Sequence, residues 1–220
     1  TGVRELDGLK VPEGFTIESV VEQDKIVYPM FAYFDDSGRL FVFESDGSSP
    51  KAPEMLANPS FLIRLLEDTD GDGKFDKSSV FADSITYPKG GYFYKGSLYT
   101  TSAPDLLRLT DTDGDGVADK REVVLTGWTF YSNGSILGGP FFGPDGWMYM
   151  TDARRGFDIV TKENKALKGA GARIWRCLPD GSRLESMSGG GFDNTIELVF
   201  TPSGETLGTM TYFTDPQAGM

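Results

Sequence analysis

The sequence predicts an all-β fold, a β-propeller of which about four blades are visible. Three observations carry that expectation. A turn–glycine–strand unit recurs: Gly38 precedes Arg-Leu-Phe-Val, Gly96 precedes Ser-Leu-Tyr-Thr, Gly146 precedes Trp-Met-Tyr-Met, and Gly204 precedes Glu-Thr-Leu-Gly. An apolar–Arg–apolar strand trails it at Ile63-Arg64-Leu65, Leu107-Arg108-Leu109 and Trp175-Arg176-Cys177, each followed by an Asp-rich or Pro-Asp-Gly turn. The two units interleave with a period of about 45–58 residues, the length of one four-stranded propeller blade. Four repeats are too few to close a ring, so residues 1–220 read as one propeller domain or a segment of one. A β-sandwich is the alternative architecture.

In chain order, Pro12-Glu13-Gly14 breaks the chain before an expected strand at Phe15–Val21. Val27 to Phe34 and Arg39 to Glu44 flank the turn Asp35-Asp36-Ser37-Gly38 as strands. Pro50, Pro53 and Pro59 mark Ser45–Ser60 as a long loop. Trp147-Met148-Tyr149-Met150 lacks a polar–apolar alternation, as a strand covered on both faces should. The one stretch with helical character is Thr161–Lys168.

Residues 61–125 hold two tandem acidic hairpins. In the second, Asp111, Asp113, Asp115, Asp119 and Glu122 stand at positions 1, 3, 5, 9 and 12 of a twelve-residue loop with Gly116 at position 6. This is the ligand spacing of a calcium loop, with the Val117 carbonyl at position 7. A tight loop can aim oxygens inward only at alternate positions, and glycine permits the sharp turn. The first copy has Asp68, Asp70, Asp72, Gly73, Lys74 (through its carbonyl) and Asp76, but Ser79 at position 12, so it is expected to bind more weakly. Without a cation these carboxylates repel one another. The flanks, such as Leu106-Leu107-Arg108-Leu109 and Glu122-Val123-Val124-Leu125, read as strands, not as the helices of an EF-hand. The expected role of the metal is therefore structural.

Composition bounds the function. The 220 residues carry 28 Gly, 16 Phe and a formal charge of −12. No basic patch is present to hold a nucleic-acid backbone, and no apolar run approaches a transmembrane helix. There is no histidine, which removes the commonest general base. Cys177 is alone, so there is no intrachain disulfide and no Cys-x-x-Cys-His haem attachment. Thr1 without Met suggests processing or a piece of a longer protein. Loops of this kind suit millimolar calcium, hence an exported protein in the periplasm, outside the cell or at its surface.

Several stretches resemble one family: Pro12-Glu13-Gly14-Phe15, Asp36-Ser37-Gly38-Arg39-Leu40-Phe41-Val42, Arg64 to Gly73, Ala103-Pro104-Asp105-Leu106-Leu107-Arg108-Leu109, Thr126-Gly127-Trp128 and Gly143 to Tyr149. Their order and spacing are similar to bacterial proteins described as membrane-bound dehydrogenases, with a glucose/sorbosone dehydrogenase-like, quinoprotein-type propeller. The resemblance implies a six-bladed, exported, calcium-binding propeller acting on a sugar or alcohol. It also implies pyrroloquinoline quinone held by cationic side chains, with a histidine as base. A propeller that only organises neighbouring domains, such as a cytochrome domain beyond the chain end, is a further expectation. Where relatives place histidine before Asn-Gly, this chain reads Phe130-Tyr131-Ser132-Asn133-Gly134. A scaffold propeller binding glycan or protein, with structural calcium, is the second expectation.

Candidate ligand-binding residues follow a blade strand: Asp152, Arg154 and Arg155, with Asn133 on a neighbouring loop. Adjacent arginines there suit a carboxylate or a sugar. Lys165, Lys168 and Arg173 add positive charge. Trp128, Phe130, Tyr131, Trp147 and Phe157 read as packing between blades or as sugar-stacking faces. A carboxylate pair for glycoside cleavage would require Asp152 and Asp193 to meet, and nothing in their spacing favours it.

Overall fold

The computed structural model describes residues 8–22, 24–131, 134, 136–153, 155–188 and 194–210. The chain folds as a succession of antiparallel sheets. The first sheet is the meander β1 (Tyr28–Phe34), β2 (Leu40–Ser45), β3 (Phe61–Glu67) and β4 (Lys77–Ile85), with helix α1 (Ala52–Ala57) between β2 and β3. The second is β5 (Gly91–Tyr94), β6 (Ser97–Ser102), β7 (Asp105–Thr110) and β8 (Lys120–Thr126). The third contains β9 (Gly138–Phe142) and β10 (Met148–Thr151), then β13 (Ile174–Cys177) and β14 (Glu185–Ser186). A separate hairpin, β11 (Phe157–Val160) and β12 (Ala166–Gly169), is inserted between β10 and β13. The described residues end with the hairpin β15 (Thr195–Phe200) and β16 (Thr206–Met210).

The recurring sequence units have fixed places. The turn–glycine–strand unit forms the second strand of each sheet, β2, β6 and β10, and then β16. The apolar–Arg–apolar unit forms the third: β3, β7 and β13. Second strands lie between two hydrogen-bonded neighbours and are covered on both faces. All residues of β6 and β10 are buried, including Ser97, Thr100 and Thr101. Coverage from both sides is why these strands lack a period of two. The third-strand arginines pair with acids on adjacent strands. The Arg64 fork meets Glu44 at 2.9 and 3.0 Å, and Arg176 meets Glu185 at 2.6 Å. Arg108 lies 3.0 Å from Ser97 Oγ and 3.9 Å from Glu122.

One core runs through the first three sheets, with Phe41, Phe43, Ile63, Leu65, Leu98, Leu109, Trp128, Met150 and Trp175 among its members. Neighbouring sheets interlock through aromatic rings. Phe41 lies 4.4 Å from Phe93, and Tyr92 stacks on Phe142 at 4.5 Å. First strands approach so closely that a Cβ on Gly90 would stand 2.5 Å from the Gly139 carbonyl oxygen. The turn between third and fourth strands rests on the element before it. Ala118 N–H donates to Phe81 O at 2.8 Å, and Phe75 N–H donates to Val20 O at 2.8 Å. A Cβ on Gly181 would meet Val124 O at 2.8 Å.

Three expectations need correction. Phe15–Val21 is not a strand; only an isolated parallel bridge forms, Val21 to Phe75. The Ser45–Ser60 segment is not all loop. Pro53, in the first turn of α1, cannot donate a backbone hydrogen bond and none is needed there, and Met55 anchors the helix in the core. Thr161–Lys168 is not helical but the turn and second strand of the β11–β12 hairpin, with Asn164 at φ 62° in the turn. That insertion also lengthens the third repeat: Arg64 to Arg108 is 44 residues, whereas Arg108 to Arg176 is 68.

Glu44 is 1 % exposed, so its charge depends on Arg64. Arg64→Met should destabilise the chain by about 3–5 kcal/mol, because it strands a buried carboxylate. Glu44→Leu combined with Arg64→Met should recover most of that loss. Urea unfolding of the two variants would check both.

Candidate functional site

Two acidic turns and one cluster of loops at the opposite end of the sheets carry the chemistry. The turns are the connections β3–β4 and β7–β8, so strands flank both, as the sequence predicts. They share one hydrogen-bond pattern. Asp68 accepts from Gly71 N–H (2.7 Å) and Gly73 N–H (2.9 Å), and Asp111 accepts from Gly114 N–H (2.7 Å) and Gly116 N–H (2.9 Å). Asp72 accepts from Lys74 N–H, and Asp115 from Val117 N–H, both at 2.8 Å. The sixth-position glycines have φ of 87° and 89°, where a side chain would be strained.

The result is two groups of three carboxylates, Asp68–Asp70–Asp72 and Asp111–Asp113–Asp115. In each, ligand oxygens lie within 4.8 Å of one another. An all-oxygen donor set at this spacing fits a hard divalent cation, and the seventh-position carbonyls of Lys74 and Val117 would be the further donors that a calcium loop uses. The ninth-position acids serve the loop itself. Asp76 accepts from the Thr69 hydroxyl at 2.6 Å and Asp119 from the Thr112 hydroxyl at 2.5 Å. Those hydroxyls hold both acids below the usual carboxylate range, and the Gly73 amide does the same for Asp68. Glu122 stands outside the second group. It lies on β8 opposite Arg108, with Oε2 3.1 Å from Lys120 Nζ. Ser79 pairs with Leu65 on β3. Neither twelfth position adds a carboxylate to its group, so the geometry does not rank one loop above the other as Glu122 had suggested.

Connections from a fourth strand to the next sheet, and from second to third strands, gather at the other end. Asp152 is 3 % exposed. It accepts from Arg173 N–H at 2.5 Å and from Trp175 Nε1 at 3.0 Å. Its own N–H donates to Arg173 O at 2.9 Å. It thus pins the base of the inserted β11–β12 hairpin, and burial pushes its carboxyl up to about 6. Arg155 lies on this end, its guanidinium 3.8 Å from the Tyr131 ring centroid. Arg154, Asn133 and Asp193 fall outside the described residues. Trp128, Phe130 and Phe157 pack in the core, while Trp147 lies beneath Arg176 and Arg183 near the acidic end. Cys177 is buried, and its thiol is pushed up to about 12 by burial.

Sequence reasoning missed Lys89. Its carbonyl accepts from Gly139 N–H at 3.2 Å, its N–H donates to Thr101 Oγ1 at 3.0 Å, and its Nζ reaches Asn194 Oδ1 at 3.2 Å. The approaches to β5, β9 and β15 therefore meet at this lysine. Burial pushes its ammonium down to about 8. The only local signal is Pro88-Lys89-Gly90-Gly91, a cation beside glycines that admit close backbone approach.

Fold and turns together define an all-β protein of repeated antiparallel sheets with carboxylate clusters between third and fourth strands. The chain belongs to the family described as domain of unknown function DUF7133, whose profile matches residues 3–213. No curated protein sequence matches it significantly. Among solved structures it is similar to one from Thermus thermophilus described as a "putative oxidoreductase (glucose dehydrogenase)". That match has 21% identity and a TM-score of 0.53, and covers 87% of this chain. This chain spans 60% of the length of that protein. The likeness establishes a shared all-β fold. Among the described residues no helix is long and apolar enough to cross a membrane.

The state of Asp152 predicts a pH dependence. Between pH 4 and about 6 the folded chain holds a proton that the unfolded chain has released. This group's contribution to stability therefore falls as pH rises through that window, by on the order of 2–3 kcal/mol in all. Thermal unfolding followed from pH 4 to about 7 should show a shallower decline in Asp152→Asn than in the parent.

Proposed function

We propose that this chain is a calcium-binding β-propeller segment of an exported, dehydrogenase-like protein, in which the metal balances the charge of acidic turns that pack on the element before them. The observation that carries the reading is the pair of matching turns, each gathering three carboxylates within 4.8 Å. Three negative charges so close repel strongly, and a divalent cation would reverse the sign of that interaction. The second turn bears on the first sheet: Ala118 is bonded to Phe81, and a Cβ on Gly116 would stand 3.1 Å from Leu65 Cδ2. Ordering this turn would stiffen a sheet-to-sheet contact as well as a hairpin.

The propeller assignment rests on the repeated meander and on the chain of contacts from one first strand to the next. The outer sheets favour it too. Tyr28 and Phe34 on β1, and Val199 and Leu207 on the β15–β16 hairpin, are exposed apolar side chains that further sheets of the same kind would cover. Export is supported by the calcium range of such loops. A bound pyrroloquinoline quinone would supply hydride acceptance, and Lys89 and Arg155, cations of the loops opposite the acidic turns, would be the candidates to meet its carboxylates. The base is the weak point of a catalytic reading. The chain brings no histidine, and both carboxylate oxygens of Asp152 are taken by Arg173 and Trp175. That commitment of Asp152 favours a second reading, a scaffold propeller that binds glycan or protein and uses calcium structurally.

Removal of calcium separates the metal reading from solvated acidic turns. Chelator should lower the melting temperature of the parent by several degrees, and added calcium should restore it. Asp111→Ala combined with Asp113→Ala should start lower in calcium and respond less to chelator. An unchanged parent melting temperature with chelator would refute calcium binding. Turnover of a sugar with added quinone and a dye acceptor would exclude the scaffold reading.

A further inference from the structure

Beside the inserted hairpin lies a depression of about 290 Å³ that none of the features above uses. Its floor is apolar, formed by Phe157, Trp175 and Leu184, with Phe157 packed edge-on to Trp175 at 4.7 Å. Its wall carries Lys165, Lys168 and Arg173. These cations differ in how far they are neutralised. Lys168 is paired with Asp158 at 2.5 Å. The Arg173 side chain lies over the Phe157 ring at 5.4 Å and, among the described residues, donates to neutral acceptors: Ala170 O at 3.1 Å, Ser188 O at 3.4 Å and Ser186 Oγ at 3.5 Å. The buried Asp152, which accepts from its backbone N–H, also feels its charge. Among the described residues neither Arg173 nor Lys165 forms a salt bridge. The one acid on the wall, Glu185, is taken by Arg176 at 2.6 Å.

Among the described residues, a chain with a net charge of −12 thus turns two cations without a salt-bridge partner toward one small apolar-floored hollow. We propose that this hollow is a binding site for a small ring-shaped carboxylate of the uronic-acid kind. Lys165 and Arg173 would take the carboxylate, the guanidinium through Nη2, since its Nε and Nη1 already donate within the chain. The ring's less polar face would lie against the floor, and Glu185 and Ser186 offer oxygen atoms to its hydroxyls. That last feature separates a sugar acid from a bare anion. The volume suits one sugar ring rather than a chain. The overall negative charge acts against the ligand at long range but is screened within about 10 Å in ordinary salt, so the local cations decide. The proposal does not depend on the acidic turns or on the quinone.

Isothermal titration of the calcium-treated protein with glucuronate tests it, with glucose and inorganic phosphate as companions. Glucuronate should bind saturably, with an affinity that falls as salt rises, while glucose and phosphate bind at least about tenfold more weakly, for want of charge and of ring contact respectively. Lys165→Glu should abolish the binding and leave the melting temperature unchanged, since among the described residues only the backbone of Lys165 is bonded, to Thr161. Lys165→Ala should weaken it by about tenfold. Absence of saturable glucuronate binding, equal binding of phosphate, or undiminished binding to Lys165→Glu would each overturn the assignment.

Discussion

The contact that sets each sheet against what precedes it recurs along the chain: the turn after the third strand lies on the element before it. Ala118 N–H reaches Phe81 O on β4, and Phe75 N–H reaches Val20 O. Gly181, in the turn after β13, packs on Val124 of β8. Four short strands cannot bury both faces alone, so each sheet needs its neighbours at a set spacing. The core supplies attraction, through Phe41 against Phe93 and Tyr92 against Phe142, but apolar contact is not directional. The amide-to-carbonyl bonds supply registration. This is why the shape of the acidic turns bears on the core: Leu65, fully buried, lies directly beneath Gly116.

The same meander separates two chemistries. Turns after first and third strands emerge at one end, and the links between sheets emerge at the other. The first end carries the clustered aspartates. The second carries Lys89, Arg155 and the base of the inserted hairpin with Arg173, while the tip of that hairpin reaches back toward the first end, where Glu163 accepts from Arg183 N–H at 2.7 Å. A fold of this type places like connections together at whichever end their position in the repeat dictates. Lys89 illustrates the consequence. Its only mark in the sequence is the pair of glycines that follows it, yet from the approach to β5 it reaches both β9 and the approach to β15 because those segments converge.

Much of the architecture was legible because it repeats. Gly96-Ser-Leu-Tyr-Thr reads as a turn and a buried strand on its own, and Leu107-Arg108-Leu109 after it reads as its partner; β6 and β7 are those elements. The acidic turns were legible at the level of which carboxylates gather, since Asp111, Asp113 and Asp115 are brought together by loop geometry alone. Glu122 was not, because its direction is set by β8. A residue opposite Arg108 and next but one to Lys120 goes to those cations, whatever its count within the loop. Thr161–Lys168 failed for a related reason. Four residues of β11 and four of β12 are too short to show a period, and the hairpin is fixed by contacts distant in sequence, Trp128 to Phe157 and Asp152 to Arg173. Asp152 was found as a site residue, but its role was not legible. Its partners lie more than twenty residues away, and only the fold shows that they hold both of its oxygens.

The hydrogen bonds inside the acidic turns bear on what a cation could contribute. Amides at positions four, five, six and seven already donate to the aspartates of the same turn. The backbone therefore has its partners without an ion, and a cation is not needed to define the bend. What remains unbalanced is charge, three carboxylates in each turn with amide dipoles as their only compensation. A divalent ion would act on that imbalance and, through the neighbouring sheet-to-sheet bond, on how firmly consecutive sheets stay together. On this argument loss of such an ion would loosen the packing between sheets before it disturbed the strands within them. The strands keep their own ladders and the buried Arg64–Glu44 pair, which do not depend on the turns.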